Sequence, residues 1–353
     1  MKLKKGIALA LSLILVLALA AGCAQKGAEV TPTPSPTAAN TPEPTAEPTP
    51  ENTSAAEKAT VNLGLLKGPT GMGAAKLLSD NDGGETTVHY SLTLGSDPTT
   101  DIVPKLINGE LDIAAVPTNL AATLYNKDND SIKLLALNTL GVLHILENGD
   151  TVHSLADLAG KTLYATGQGS NPEYVLNYLL EKNGLVPGQD VAIEWKASDE
   201  LTALMASGEI DLCMLPVPAA TSVMIQNQDV RDAVDLNDAW TESGAAGTFT
   251  MGCLVARTAW LEENSALVPG ILGDYAASIL YVNDHVEEAA ELMAQYEIVP
   301  KAAIAKAAIP QANLFYVDGE SLKEISDYYE VLFAADPTSI GGSIPDDNFY
   351  YIP

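Results

Sequence analysis

Arginine is nearly missing from this sequence. In 353 residues only Arg231 and Arg257 occur, and lysine plus arginine number 18 against 46 acidic residues. The formal net charge is −28, or −31 for the chain without Lys2, Lys4 and Lys5. A nucleic-acid partner requires a basic surface that displaces counterions, so that class of function is excluded. The acidity itself reads as a solubility feature. Cysteine is equally scarce: beyond Cys23 there remain Cys213 and Cys253, each inside an apolar run. Each run reads as a separate core strand, so two free buried thiols are expected rather than a disulfide. His89, His144, His153 and His285 are scattered with no metal-ligand spacing, so neither a metal nor a cofactor is expected. With 6% aromatic but 47% hydrophobic residues, the cores must be filled mostly by aliphatic side chains.

The chain opens with Lys2, Lys4 and Lys5, an uncharged run from Gly6 to Ala21, then Gly22 and Cys23. A basic start, a short apolar stretch and small residues before a cleavage point read as a secretory signal, too short for a comfortable membrane span. With Cys23 directly after Ala20-Ala21-Gly22, residues 1–22 resemble a bacterial lipoprotein signal. That resemblance implies lipidation of Cys23, anchoring to the outer face of the cell membrane and an extracytoplasmic location. From Gln25 to about Lys58 the chain is mainly Thr, Pro, Ala and Glu, which cannot bury a core. Its Thr-Pro and Glu-Pro steps favour an extended spacer, so 23–58 is read as anchor and linker.

The body beyond residue 59 is long enough for two lobes. Its most informative feature is an internal repeat: Leu106-Ile-Asn-Gly-Glu-Leu-Asp-Ile-Ala-Ala-Val-Pro117 against Met205-Ala-Ser-Gly-Glu-Ile-Asp-Leu-Cys-Met-Leu-Pro216. Each copy has the same physical grammar. A helix ends at a glycine suited to a left-handed cap, Gly109 or Gly208. A short apolar run then reads as a buried strand, and a proline stops it. Strands are expected at Thr60–Leu66, Thr87–Thr93, Leu111–Val116, Ile132–Leu137, Thr162–Ala165 and Val191–Trp195, with helices between them. Pro104 disfavours the middle of a helix, so the helix ending at Gly109 must start late or kink. Ser154 is a good N-cap. After Thr250–Val255 only helices are read, near Ser265–Val282, Val286–Tyr296, Pro300–Ala307 and Ser321–Leu332. This tail needs a surface, and lobe one is the economical choice. The expectation is therefore an α/β chain with parallel-sheet lobes, 59–147 plus 248–353 and 148–247, joined by extended crossovers at Leu140–Leu146 and Thr248–Val255.

These residues also resemble a known family. Gly68-Pro69-Thr70-Gly71-Met72-Gly73 after a strand, the Gly109–Ile113 run, Gly141–Asn148, Asp157–Tyr164 and the ending Asp346–Tyr351 look like the sulfonate, nitrate and thiamine-precursor group of ABC-importer solute-binding proteins. The resemblance spans about residues 60–351. It implies the type II periplasmic-binding-protein fold, a small-molecule solute, an ABC permease as partner, a monomeric receptor and no catalysis. Ligand identity varies across such a group and does not transfer.

Ligands of open αβ sheets bind beyond the carboxyl ends of strands. That rule selects Thr70, Gly71, Met72 and Gly73 after the first strand, Thr118 and Asn119 after Pro117, and Gln168, Gly169, Ser170 and Asn171 in lobe two. Pro216 is the counterpart of Pro117. Asn138-Thr139 and Met251-Gly252 are weaker candidates at the hinge. Helix capping or a plain glycine turn would account for some of the same residues. Neither arginine is well placed, and Lys67 is the one cation beside a candidate loop. Backbone N–H groups of Gly71, Gly73 and Gly169 are expected to hold a neutral or weakly charged ligand, aided by the Thr, Gln, Ser and Asn side chains. Two other readings compete: an enzyme on the same fold, such as a thiamine-pyrimidine synthase, and a surface structural lipoprotein. The enzymes need a cysteine-rich motif that this chain lacks, and the structural reading leaves the glycine loops unexplained.

Overall fold

The computed structural model describes residues 58–128 and 131–353, so Cys23 and most of the spacer lie outside the described residues. Strand β1 (Thr60–Leu66) leads into a single turn, α1 (Pro69–Met72), and then α2 (Ala75–Asp82). Next come β2 (His89–Gly95), α3 (Val103–Ile107), β3 (Ile113–Pro117), α4 (Thr118–Lys127) and β4 (Ile132–Leu140). Pro104 sits at the start of α3, which follows directly on a π-helical turn at Pro98–Ile102, so the winding changes next to the proline.

The chain then passes to a second sheet through β5 (Leu143–Asn148), β6 (Thr162–Ala165), α5 (Asn171–Lys182), β7 (Ala192–Trp195) and α6 (Ser198–Ser207). It continues with β8 (Leu212–Pro216), α7 (Ala219–Gln226), β9 (Val230–Asp235) and α8 (Leu236–Glu242). β10 (Thr250–Arg257) returns it to the first sheet. The tail adds α9 (Thr258–Asn264), α10 (Val268–Asp284), α11 (Val286–Gln295), α12 (Ala302–Ala308), β11 (Leu314–Asp318) and α13 (Ile325–Ala335).

The first sheet has the order β11-β4-β10-β3-β1-β2 and the second β7-β6-β8-β5-β9. The repeat lies at equivalent places. β3 runs parallel to β1 and antiparallel to β10, while β8 runs parallel to β6 and antiparallel to β5. Arg257 donates its N–H to Asp112 O just before the strand of one copy, and Asn148 donates to Asp211 O just before the strand of the other. Gly109 and Gly208 both have positive φ, +84° and +74°, as the left-handed caps require.

Two expectations are corrected. The sheets are mixed, not parallel. The strands whose ends form the boundary loops run towards it, whereas β5 and β10 carry the chain away from it into a lobe, so both oppose their neighbours, as β11 at the sheet edge opposes β4. Both passages also differ from expectation: β5 is a full member of the second sheet, which leaves only Gly141 and Val142 to cross, and β10 is a full member of the first sheet from Thr250, so the second passage precedes it.

Helices cover both faces of the first sheet, which is why Ile113 to Val116 of β3 are all buried. One face packs Val61, Leu63 and Leu65 against α2 and α10 through Leu77, Ile271, Tyr275 and Ile279. The other face belongs to a core that continues from Val116 and Leu137 into Ile145, Leu163, Val175 and Leu176 of lobe two. The lobes therefore share buried apolar surface near the crossovers.

Candidate functional site

The loops that end the inward-running strands of both lobes come together. A methyl group placed on Gly68 would lie 4.0 Å from Pro218 Cδ. Val217 is fully buried and joins a core cluster otherwise drawn mostly from lobe one. The expected candidates at Thr70–Gly73, Thr118–Asn119, Gln168–Asn171 and Pro216 all sit on these strand ends.

At their meeting point is a hydrogen-bonded knot. Thr118 Oγ1 donates to Thr250 O at 2.8 Å. Asn171 Nδ2 donates to Thr118 Oγ1 at 2.9 Å and to Thr250 O at 3.3 Å. Tyr328 OH donates to Asn171 Oδ1 at 3.2 Å, and Tyr329 OH donates to Thr118 O at 2.9 Å. Thr118, Asn171, Tyr328 and Tyr329 have no exposed surface. Both polar atoms of Asn171 are thus spent on the protein, tying lobe two to α4, β10 and α13. An amide at this place acts as a strut between lobes.

A second set gathers around Gly252. Asn138 Nδ2 donates to Tyr275 OH at 2.9 Å and to Thr70 O at 3.4 Å, while Thr139 Oγ1 donates to Asn138 Oδ1 at 2.9 Å. A Cβ on residue 252 would come within 2.5 Å of Asn138 Oδ1 and 3.1 Å of Thr70 Cγ2, so glycine is required for this approach.

The backbone donors expected to face a ligand are already engaged. Gly71 N–H donates to Gly68 O at 3.1 Å because Pro69 starts a helical turn, and Gly73 N–H donates to Gly71 O at the end of that turn. Gly169 N–H donates to the Glu173 carboxylate at 2.6 Å. Met72 is buried in the core of lobe one. Gln168 and Gly169 are exposed, and Ser170 and Pro216 are half-buried.

Charge lies elsewhere. Arg257 ends β10 away from the lobe boundary and binds Asp112 Oδ1 at 3.0 Å and Leu111 O at 2.8 Å. Arg231 starts β9 at the corresponding far end and meets Glu147 at 2.5 Å. Lys67 is half-exposed and 3.9 Å from Glu297. His144, buried near the start of β5, shares a 2.9 Å hydrogen bond between its Nδ1 and Asp232. Burial would lower its pKa, but Asp232, with the charges of Asp235 and Asp238, outweighs this and raises it. Cys213 and Cys253 are free and buried, as the sequence indicated. Burial pushes the Cys213 thiol up to about 12 and raises Cys253 too.

Sequence reasoning missed Thr250, Tyr328 and Tyr329. Thr250 was within reach, being the hydroxyl that opens an expected crossover. Nothing local marks the two tyrosines, whose helix reaches the site only through the return of the tail.

The sequence pattern of the NMT1/THI5 like family matches residues 97–289, and the chain belongs to that family. No curated protein matches it. Among solved structures it is similar to an ABC transporter protein from Parabacteroides distasonis, with a TM-score of 0.69, 20% identity and coverage of 83% of this chain and 99% of that one. It is likewise similar to the periplasmic aliphatic sulphonate binding protein SsuA from Escherichia coli (TM-score 0.66, 17% identity, 83% and 92% covered). The alkanesulfonate-binding protein SsuA from Xanthomonas axonopodis pv. citri, bound to MOPS, gives 0.61, 16%, 83% and 96%. At these identities the likeness establishes the periplasmic-binding-protein fold.

Proposed function

From family membership and the two-sheet frame, we propose that the chain is the solute-binding component of an ABC importer. It captures a small organic solute between its lobes outside the cytoplasm and presents it to a membrane permease. The observation that carries this reading is the convergence of the inward strand ends of both lobes, joined by two chain passages at Gly141–Val142 and before Thr250. Two passages form a hinge, and closure about a ligand is a standard use of that geometry. The sulfonate-binding descriptions of similar structures favour the same role.

Thr70, Gln168, Ser170 and Pro216 are the contacts we assign to the solute. Thr118 and Asn171 support the site from behind, together with the Gly71–Gly73 turn, and the unpartnered side-chain oxygens of Asn119, Thr221 and Thr250 are further contacts we assign. Catalysis has no part in this reading, which follows the solute-binding descriptions of the similar structures. Lipidation at Cys23, outside the described residues, would hold the monomeric receptor at the membrane through the spacer. Thermal-shift screening of the purified body followed by X-ray scattering with a stabilising solute tests the receptor reading. A stabilising solute that leaves the radius of gyration unchanged would rule out closure. For the anchor, Cys23→Ser should release the protein from membranes without unfolding it, and continued membrane fractionation would refute it.

A further inference from the structure

We propose that the solute, on the receptor reading just given, is an uncharged molecule carrying both hydrogen-bond donors and acceptors, not an anion. The buried polar side chains on the strand-end loops, apart from Thr118, Asn138 and Asn171 that are bonded within the protein, are Thr70 and Asn119 from lobe one and Thr166 and Thr221 from lobe two. Such groups match amide and hydroxyl partners, while an ion placed among them without a counter-charge loses its hydration.

The usual neutral device for anions is also dismantled here. Helix N-termini bind anions through free N–H groups. Four of the helices that open at the boundary carry a proline in the cap or first turn, Pro69 in α1, Pro117 before α4, Pro172 in α5 and Pro218 before α7, while α6 opens with Asp199 and Glu200 and α8 with Asp235 and Asp238, carboxylates that repel an anion. A proline offers no N–H, so each of those four termini has lost a donor. The loop before α5 goes further, since the Gly169 N–H holds the Glu173 carboxylate. A second anion there would face a like charge.

The cations are accounted for as well, His144 by its 2.9 Å contact with Asp232. Both arginines are bound to carboxylates at the far strand ends, and the two lysines that follow inward strands are paired, Lys67 with Glu297 and Lys196 with Glu200. Meanwhile, among the described residues, three of the seven buried oxygens without a partner lie at this boundary: Asn119 Oδ1 beside Thr118, Thr221 Oγ1 in the first turn of α7, and Thr250 Oγ1 at the second passage. Buried polar atoms without partners are costly. Two of these three can donate or accept, as a neutral ligand requires.

The test uses the full chain and matched pairs that differ in charge: benzamide and benzoate, nicotinamide and nicotinate, ethanesulfonamide and ethanesulfonate, with nitrate added alone. Calorimetric titration should show a neutral member binding at least about tenfold tighter than its anionic partner, a margin of roughly 1.4 kcal/mol. Thr250→Val should weaken that neutral probe by about 3- to 10-fold, as for one neutral hydrogen bond; Thr221→Val serves if the first variant unfolds. Tighter binding of an anionic member, or of nitrate, with lobe closure in X-ray scattering overturns this inference and leaves the receptor reading standing. Binding by no member of the panel, together with no stabilising solute in the thermal-shift screen, overturns both.

Discussion

Asn171 uses one amide to hold two threonines and a tyrosine, and no water reaches any of them. Replacing it by alanine strands Tyr328 OH and leaves Thr118 and Thr250 short of a partner. The expected loss is about 2–4 kcal/mol, since each buried orphan costs roughly 1–3. Denaturant titration of Asn171→Ala measures it; a loss below about 1 kcal/mol would contradict the strut role. Arg257 gives the opposite signature. Its removal leaves the Asp112 carboxylate with only the Asn62 N–H and Nδ2 donors, both at 2.9 Å. Arg257→Ala should therefore cost stability, about 2–3 kcal/mol, less than the 3–5 of a fully buried broken pair. Affinity for solute should hardly change, and calorimetry that shows binding abolished in a folded Arg257→Ala protein would restore an anion-binding role. His144 makes a pH prediction. Its pKa is raised in the folded chain, so its contribution is present below the ordinary value of 6.5 and is lost as pH rises through the higher folded value. Melting curves should show the native chain losing stability from about pH 6 to 8 relative to His144→Gln, and parallel pH profiles would refute this.

The two copies of the repeat make a paired test at the level of helix and strand. Gly109 and Gly208 hold φ values of +84° and +74°, and an added Cβ meets nothing closer than 3.7 Å at either place. Alanine there costs backbone strain without a clash, about 1 kcal/mol in each lobe by chemical denaturation. A loss at one site alone would break the equivalence. That equivalence was readable in advance because glycine, aspartate and proline punctuate both copies at identical spacing. Thr60–Leu66 and Thr162–Ala165 were legible for a related reason: each is bounded by turn residues and carries apolar side chains at strand spacing. Ser154 was legible as a cap, and its capping box with Asp157 is present. By contrast β11 was not read, because Leu314-Phe-Tyr-Val-Asp318 is a short edge strand between helices and its partner β4 lies far away in sequence. The candidate loops were found by the strand-end rule. The rule could not tell a ligand contact from a strut, because that depends on Tyr328 and Tyr329 reaching the site from the tail. Likewise the occupied Gly169 N–H depends on where the Glu173 side chain folds back.

At the scale of the whole molecule, solute binding should raise the melting temperature by mass action, equivalent to about 2.7 kcal/mol at a hundredfold excess over Kd. Differential scanning calorimetry across a solute titration measures it, and a melting temperature independent of concentration would contradict specific binding. The sheet order carries a further consequence, for how the chain becomes a protein at all. β3 and β4 are consecutive in the sequence, yet β10 lies between them. The first lobe therefore cannot join β3 to β4 until residue 257 is available, nor complete its sheet until residue 318, whereas every strand of the second sheet lies within one uninterrupted stretch, Leu143 to Asp235. Non-local pairing is slow because a long loop must close first. The order of acquisition should run against the order of synthesis, with the middle of the chain maturing before its beginning. In pulse-labelled hydrogen exchange, amides of β5, β6 and β8 should gain protection before those of β3 and β4. A chain emerging N-terminus first would then keep its leading third unfolded until nearly all of it had been delivered.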